Sequence, residues 1–407
     1  MSETKTFDIL VVGGGMIGSA LALGLSRQGW HVGLVEGAGH KALVQAPDPA
    51  KTVADFEPRV SAISVASQKL LEQLGVWSAI TAGRHCPYQT MTVWDGDGTG
   101  RIEFDAAELQ ARALGTIIEN RSIVRALFSA LVESPAELID GATMTGCQRV
   151  SGGCRVELED GRTLAAHLVV GCDGANSRLR QWVGLPTREW DYDQQAIVCT
   201  VRTSQSHRFT AWQRFSLTGP LAFLPLLTES GDEHFCSIVW SQDTEEARRL
   251  MALGDSEFAA ELERAIEREL GVVEAVSSRF AFPLRQRHAK NYIAPGFVLV
   301  GDAAHTIHPL AGQGANLGYG DVRALLDELS RARQSGLDPA NALVLERYQR
   351  RRKGENLTMM ATMEAFRQLF GRDELPVRWL RNTGMRWLNQ LGPVKNRIAA
   401  EAMGLTT

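Results

Sequence analysis

The stretch Phe7-Asp8-Ile9-Leu10-Val11-Val12-Gly13-Gly14-Gly15-Met16-Ile17-Gly18-Ser19 decides the fold of this 407-residue chain. Residues 7–12 form a continuous apolar run, the mark of a strand covered on both faces. Gly13 permits a tight turn out of that strand. Gly15 lets the backbone approach a pyrophosphate, and Gly18 lets the next helix lie close to the sheet. Residues 19–28 read as that helix, with Ala, Leu and Gly on its inner face, and 31–36 as the following strand. The helix N-terminus turns unpaired N–H groups and a positive dipole end towards the phosphates. Glu36 closes the second strand, 18 residues after Gly18, where a carboxylate accepts hydrogen bonds from ribose hydroxyls.

Two distant segments belong with this start. Asp173-Gly174 lies behind the apolar run Leu168-Val169-Val170. Far downstream, Val298-Leu299-Val300-Gly301-Asp302-Ala303-Ala304-His305 runs on to Pro309-Leu310-Ala311-Gly312-Gln313-Gly314-Ala315-Asn316. A mononucleotide needs only the glycine turn, whereas a long ligand such as FAD accounts for all three segments. Only one dinucleotide fingerprint is present, so a nicotinamide donor would visit and leave. Residues 312–316 open a helix whose N-terminus suits the anionic ring of reduced flavin, worth up to about 2 kcal/mol when partly buried. Pro309 fixes the backbone beside it, and its carbonyl is the candidate for orienting a substrate ring edge or the flavin.

Composition narrows the alternatives. A chain of this length supports two or three domains and a large core. The net charge is only -4, and no Lys/Arg run interleaved with aromatics suggests nucleic acid. Six scattered cysteines without a Cys-x-x-Cys pair argue against zinc, iron–sulfur clusters and a disulfide framework, and favour a reducing cytosol. His305 and His308, without an acidic or thiol cluster nearby, make a poor zinc site, so no metal is expected. No Gly-x-Ser-x-Gly elbow supports a hydrolase. The apolar stretch 9–25 carries five glycines and no basic leader, and reads as fold rather than signal peptide.

Residues 37–58 read as a long polar loop of the kind that forms lids. Asp95-Gly96-Asp97-Gly98 and Asp160-Gly161 mark hairpins, and 255–270 and 321–334 read as helices. Strand-like runs crowd residues 195–241, a sheet domain inserted between halves of a nucleotide domain. Its residues Trp212, Phe215, Leu221, Phe223, Leu224, Pro225 and Trp240 line a substrate pocket or simply pack between layers. The fold class is therefore α/β: a Rossmann-like domain with an inserted β-sheet substrate domain and a C-terminal helical region. The expected boundaries are 1–185 and 285–345 for the two parts of the nucleotide domain, 186–284 for the sheet domain and 346–407 for the helices. Residues 341–407 hold 12 Lys/Arg against 6 Asp/Glu, with Met359, Met363, Phe366, Trp379 and Trp387 among them. Such a tail suits an anionic lipid surface or a partner protein, and equally suits ordinary helix packing with a solvated basic face.

Over residues 5–340 the chain resembles the FAD-dependent aromatic hydroxylases of the para-hydroxybenzoate hydroxylase type, and within them the flavin hydroxylases of ubiquinone biosynthesis. The likeness is carried by Arg59-Val60-Ser61-Ala62-Ile63-Ser64, Gly171-Cys172-Asp173-Gly174-Ala175-Asn176-Ser177, Gly301-Asp302-Ala303-Ala304-His305-Thr306-Ile307-His308-Pro309 and Gly314-Ala315-Asn316-Leu317-Gly318. Cys172 departs from it, standing where the family has a smaller residue. The resemblance implies that Arg59 contacts the FAD phosphates or ribityl chain, Asn120 lies near the ribityl and Asp302 binds its hydroxyls. Asp173-Gly174 would serve both FAD and a transient NAD(P)H donor, with Gly301, Gly314 and Asn316 also at the cofactor. It further implies that oxygen activated on reduced FAD attacks an electron-rich phenol ring.

The implied substrate is a polyprenylated phenol or benzoquinol. Ile117-Ile118-Glu119-Asn120 and 104–109 lean towards the demethoxybenzoquinol hydroxylase, acting on a 2-polyprenyl-3-methyl-6-methoxy-1,4-benzoquinol, over its neighbour one step earlier. The isoprenoid tail of such a substrate implies a cytoplasmic enzyme with membrane association, through residues 346–407 directly or through partner proteins. The rival readings are a hydroxylase of small soluble phenols and a non-catalytic flavin-binding assembly subunit.

Overall fold

The computed structural model describes residues 5–46, 48–306 and 314–404. Strand Lys5–Val12 lies at the centre of an eight-stranded sheet, parallel to Val32–Glu36 on one side and Thr163–Gly171 on the other. Phe297–Leu299 and Glu137–Asp140 extend the parallel order at the two flanks. The apolar run at the start of the chain follows from this place. Ile9 and Val11 pack into the core formed with helix Met16–Arg27. Phe7, Leu10 and Val12 enter a second core on the opposite face, under the ribbon Met144–Val150/Gly153–Leu158. A strand covered on both sides has no use for polar alternation.

A nine-stranded sheet forms the second layer system. The long strand Thr187–Thr203 pairs with Phe235–Asp243 and Phe280–Ala289, and Gly219–Leu226 and Thr210–Ser216 follow outward. This sheet is not confined to residues 186–284. The hairpin Thr90–Asp95/Arg101–Asp105 joins its edge, Thr90–Asp95 running parallel to Thr210–Ser216. At the other edge His305–Thr306 pairs with Phe280–Ala289. The Asp-Gly turn gave the hairpin away. Its parallel partner, more than a hundred residues downstream, left no local trace.

Helices Thr244–Ala252 and Asp255–Ala265 cover one face of this sheet, the second ending earlier than residue 270. Leu221, Phe223 and Trp240 point into that helix-covered core, so these three pocket candidates are packing residues. Strand alternation sends Phe215 and Leu224 to the other face.

The loop at residues 37–58 contains the short helix His40–Val44 and a turn of 3-10 helix, Val53–Asp55. It is anchored rather than free. The buried Arg84 guanidinium pairs with Glu119 at 2.8 Å and donates to the carbonyls of Asp48 (2.8 Å) and Asp55 (3.3 Å). Helix Gly314–Gln334 starts well before residue 321, because tertiary contacts outweigh the low helix propensity of Gly318 and Gly320. The chain then continues through helices Ala342–Phe370, Leu375–Gln390 and Gly392–Ala402. Among the described residues, no helix is long and apolar enough to cross a membrane.

Candidate active site

The three sequence segments meet around the first glycine turn. Gly13 has φ +100°, and a side chain there would strike the Cys172 carbonyl oxygen at 2.5 Å. That close approach sets the Asp173-Gly174 segment against the turn. A Cβ at Gly18 would lie 1.8 Å from the Gly13 carbonyl oxygen, so only glycine lets helix Met16–Arg27 begin here. From the same helix, Ile17 lies 3.3 Å from where a Gly301 side chain would start and 2.7 Å from the corresponding point of Gly318. One turn therefore touches both later segments.

Several features suit a dinucleotide. Helix Met16–Arg27 has no side-chain cap and no acid in its first turn, which leaves its N–H groups for an anion. Among the described residues, nothing lies within 4 Å of where side chains would begin at Gly15, Gly174 and Gly314. Glu36 ends its strand with Oε2 accepting from Gly14 N–H at 2.5 Å and Oε1 from Ala38 N–H at 2.9 Å, so its carboxylate is fixed beside the turn. Asp173 Oδ2 accepts from Leu179 N–H at 3.1 Å, while Oδ1 is buried without a hydrogen-bond partner among the described residues. A buried unpartnered carboxylate oxygen is rare in a finished fold and fits a hydroxyl-bearing ligand.

The remaining candidates converge from other elements. The antiparallel pairing of Val60–Ser64 with Gly115–Glu119 places Arg59 and Asn120 together, the Asn120 N–H donating to the Arg59 carbonyl at 3.0 Å. Ser61 Oγ donates to Asn120 Oδ1 at 2.7 Å. Asp302 is open to water on one side but crowded by protein on the others. That crowding raises its carboxyl above the usual range, against the opposing pull of His305 and Arg59. The Asn316 amide is committed to the protein: Oδ1 accepts from Ser64 N–H (2.9 Å) and Ser67 Oγ (2.8 Å), and Nδ2 donates to the Ala62 carbonyl (2.8 Å). It fastens the glycine-led helix to strand Val60–Ser64, leaving only its main chain for a ligand. Pro309 lies outside the described residues.

Sequence reasoning missed what holds the Gly301–His305 segment. Asp321, fully buried on helix Gly314–Gln334, accepts from Gly301 N–H at 2.9 Å and bonds His305 Nε2 at 2.5 Å through Oδ2. Through Oδ1 it accepts from Arg352 Nε at 2.6 Å. The signal was there: an Asp among Leu317, Val322 and Leu325 sits on an apolar helix face, where a carboxylate needs partners.

Above the Asn316 fastening lies a cavity of about 490 Å³. Ser64 and Asn316 lie in its wall, together with Phe104, Phe215 and Leu224 of the second sheet and Phe370 and Met385 of the C-terminal helices. That volume is in the range of small-molecule sites.

The profile of the family described as "FAD binding domain" matches residues 6–361. The chain belongs to the FAD binding domain family. The chain shares its architecture with the crystal structure of p-nitrophenol 4-monooxygenase PnpA from Pseudomonas putida. That chain superposes with TM-score 0.78 at 18% identity, covering 98% of this chain and 99% of that one, a likeness of fold alone. In sequence the chain is similar to "3-demethoxyubiquinol 3-hydroxylase" of Escherichia coli, 40% identical over 98% of both chains. It is also similar to "Ubiquinone hydroxylase UbiL" of Rhodospirillum rubrum, 37% identical over 99% of this chain and 91% of that protein. As a family member it is a flavin-dependent oxidoreductase with FAD as its cofactor.

Proposed function

We propose that this protein is an FAD-dependent monooxygenase of ubiquinone biosynthesis that hydroxylates the ring of a polyprenylated benzoquinol of the 3-demethoxyubiquinol type. The observation that carries this reading is the cavity: a largely apolar chamber sharing Ser64 and Asn316 with the strand and helix of the cofactor motifs. Bound FAD would supply the redox chemistry, reduction by NAD(P)H and activation of oxygen, with one oxygen atom going to the ring and the other to water. The chain's part is binding and exclusion. The Gly13–Gly15 turn and the helix behind it would hold the pyrophosphate, Glu36 the adenosine ribose, and Asp173, Asp302, Arg59 and Asn120 the ribityl chain and phosphates. The apolar walls keep water from the reacting ring and hold it in one orientation.

The direct test supplies the FAD-loaded protein with NAD(P)H, oxygen and a short-chain 3-demethoxyubiquinol, and analyses the quinones by mass spectrometry. A product one oxygen heavier supports the reading. FAD-bound protein that leaves prenylated quinols untouched but oxidises NAD(P)H with small phenols points to the soluble-substrate rival, and protein inert towards both points to an assembly subunit.

Membrane contact belongs to the same reading. On helix Leu375–Gln390, Leu375, Trp379 and Trp387 are 78%, 67% and 66% exposed and fall on one face, beside exposed Arg386. Leu380, Phe366 and Ile398 are exposed and also line the cavity, so its walls continue into this outer patch. Interfacial tryptophans flanked by arginine suit an anionic bilayer surface, the compartment that holds a polyprenyl tail. Replacing Trp379 and Trp387 together by Ser is expected to weaken co-flotation with anionic vesicles about tenfold or more. Wild-type protein that ignores such vesicles would place a protein, not lipid, on this patch.

A further inference from the structure

Among the polar side chains that line the cavity, the Gln213 amide and the Tyr88 hydroxyl have no hydrogen-bond partner among the described residues. The Trp212 indole N–H is also without a partner there, but it is buried in the core under the helices of the second sheet. The other polar groups of the wall are engaged. Asn316 is tied to strand Val60–Ser64, Ser64 Oγ bonds Ser67, and Arg381 bonds Asp95 and main-chain carbonyls. Gln213 is only 5% exposed and lies on strand Thr210–Ser216 between Ala211 and Phe215 on the cavity face. Its neighbours across the sheet are Val93 and Ala222, both apolar and both lining the cavity. Tyr88 comes from a different sheet, with its hydroxyl over Gly115, 2.8 Å from where a side chain would begin.

An amide without partners among apolar walls costs folding free energy, and a methionine or leucine would fill the same place without that cost. Its chemistry instead matches a hydroquinone ring. The amide oxygen accepts from a ring hydroxyl, and the amide NH₂ donates to a hydroxyl or methoxy oxygen. Tyr88 stays protonated at neutral pH, because burial pushes its hydroxyl up to about 12, so it serves as a donor.

Resting on the reading that this cavity takes a polyprenylated benzoquinol, we propose that Gln213, assisted by Tyr88, binds the ring oxygens and so determines which ring carbon is presented for hydroxylation. Gln213 is a specificity residue in this role, since a site built to hydrogen-bond a ring hydroxyl discriminates strongly through the groups it would otherwise leave unpaired.

The test compares the FAD-loaded wild type with Gln213→Met and Tyr88→Phe. Four quantities are measured: FAD content, thermal stability, kcat/KM for a short-chain 3-demethoxyubiquinol, and hydrogen peroxide released per NAD(P)H. Gln213→Met is expected to keep its FAD and equal or exceed the wild type in stability. It should lose about tenfold to hundredfold in kcat/KM and divert NAD(P)H oxidation into peroxide. Tyr88→Phe should show a smaller loss of the same kind. A Gln213→Met enzyme within twofold of wild type and equally coupled would overturn the inference. So would one whose lost activity tracks a lowered stability, since that marks a structural role. Neither result touches the functional reading, which fails only if the wild type itself hydroxylates no prenylated quinol.

Discussion

Replacing Asp321 by Asn is expected to lower the free energy of unfolding by about 3–5 kcal/mol and to yield protein that purifies without flavin colour. Asp321 has no exposed surface. Burial alone would push its carboxyl up. His305 and Arg352 outweigh that effect and hold it well below the usual carboxylate range. The cost of the substitution falls mainly on what remains. The Arg352 side chain, only 5% exposed, would keep Glu355 but lose its buried counter-charge. Gly301 N–H would lose a full acceptor, and His305 its anchor, loosening the segment that presents Asp302. Urea unfolding and the flavin absorbance of the purified variant measure the two effects.

The pH dependence has a definite sign. A depressed carboxyl stabilises the fold at every pH above its unfolded value near 3.9 and loses that contribution as pH falls through the folded one. The gap between wild type and Asp321→Asn should therefore be flat through neutral pH and close only in strong acid. His288 acts at milder pH. Burial, reinforced by His305, lowers it to about 4, so the unfolded chain binds its proton first. Wild-type stability is accordingly expected to fall as pH drops from about 6.5 to about 4, and urea midpoints across that interval check it.

The second large effect is expected at the cavity roof. The buried Arg381 guanidinium donates from Nε to Asp95 Oδ2 at 2.7 Å and reaches the carbonyls of Leu369 (2.9 Å) and Phe370 (3.2 Å). It thus closes the end of helix Ala342–Phe370 while gripping the hairpin edge of the second sheet. The neighbouring Asn382 accepts from Thr99 N–H at 2.7 Å and donates to Asp95 at 2.8 Å. Arg381→Met leaves Asp95 buried without its main counter-charge, a loss of about 3–5 kcal/mol. That loss is concentrated in the two last helices, whose other apolar faces are largely open. Hydrogen exchange should rise across residues 375–404, and KM for a prenylated quinol should climb about tenfold or more, with FAD content unchanged. Combining Arg381→Met with Asp95→Asn should cost clearly less than the two singly, because each removes the same contact. Additive losses would show that the pair does not hold the roof.

The glycine turn and the acid beside it were legible because their requirements are local. Gly13, Gly15, Gly18 and Glu36 must follow one strand in a set order, and a backbone that turns and meets an anion leaves that order in the residue types. The second sheet was legible as strands but not as an assembly. Alternation at residues 212–225 defines two faces, yet which face meets helices and which meets the cavity depends on what packs there. Leu221, Phe223 and Trp240 went to the helices, while Phe215 and Leu224 went to the cavity. Asp95 looked like a turn residue, and only its partner nearly three hundred positions away makes it an anchor.

By itself, then, the sequence determined the βαβ start, the glycine-led segments that meet at one turn and the helical character of the tail, all properties of short windows with fixed spacing. Tertiary structure decided the rest: that Asp321 locks the Gly301 segment, that the hairpin at 90–105 joins a sheet built far downstream, and that Arg381 lowers the last helices onto a cavity. Those contacts join residues distant in the chain, and their energies come from desolvated charges and buried faces that exist only once the parts have met.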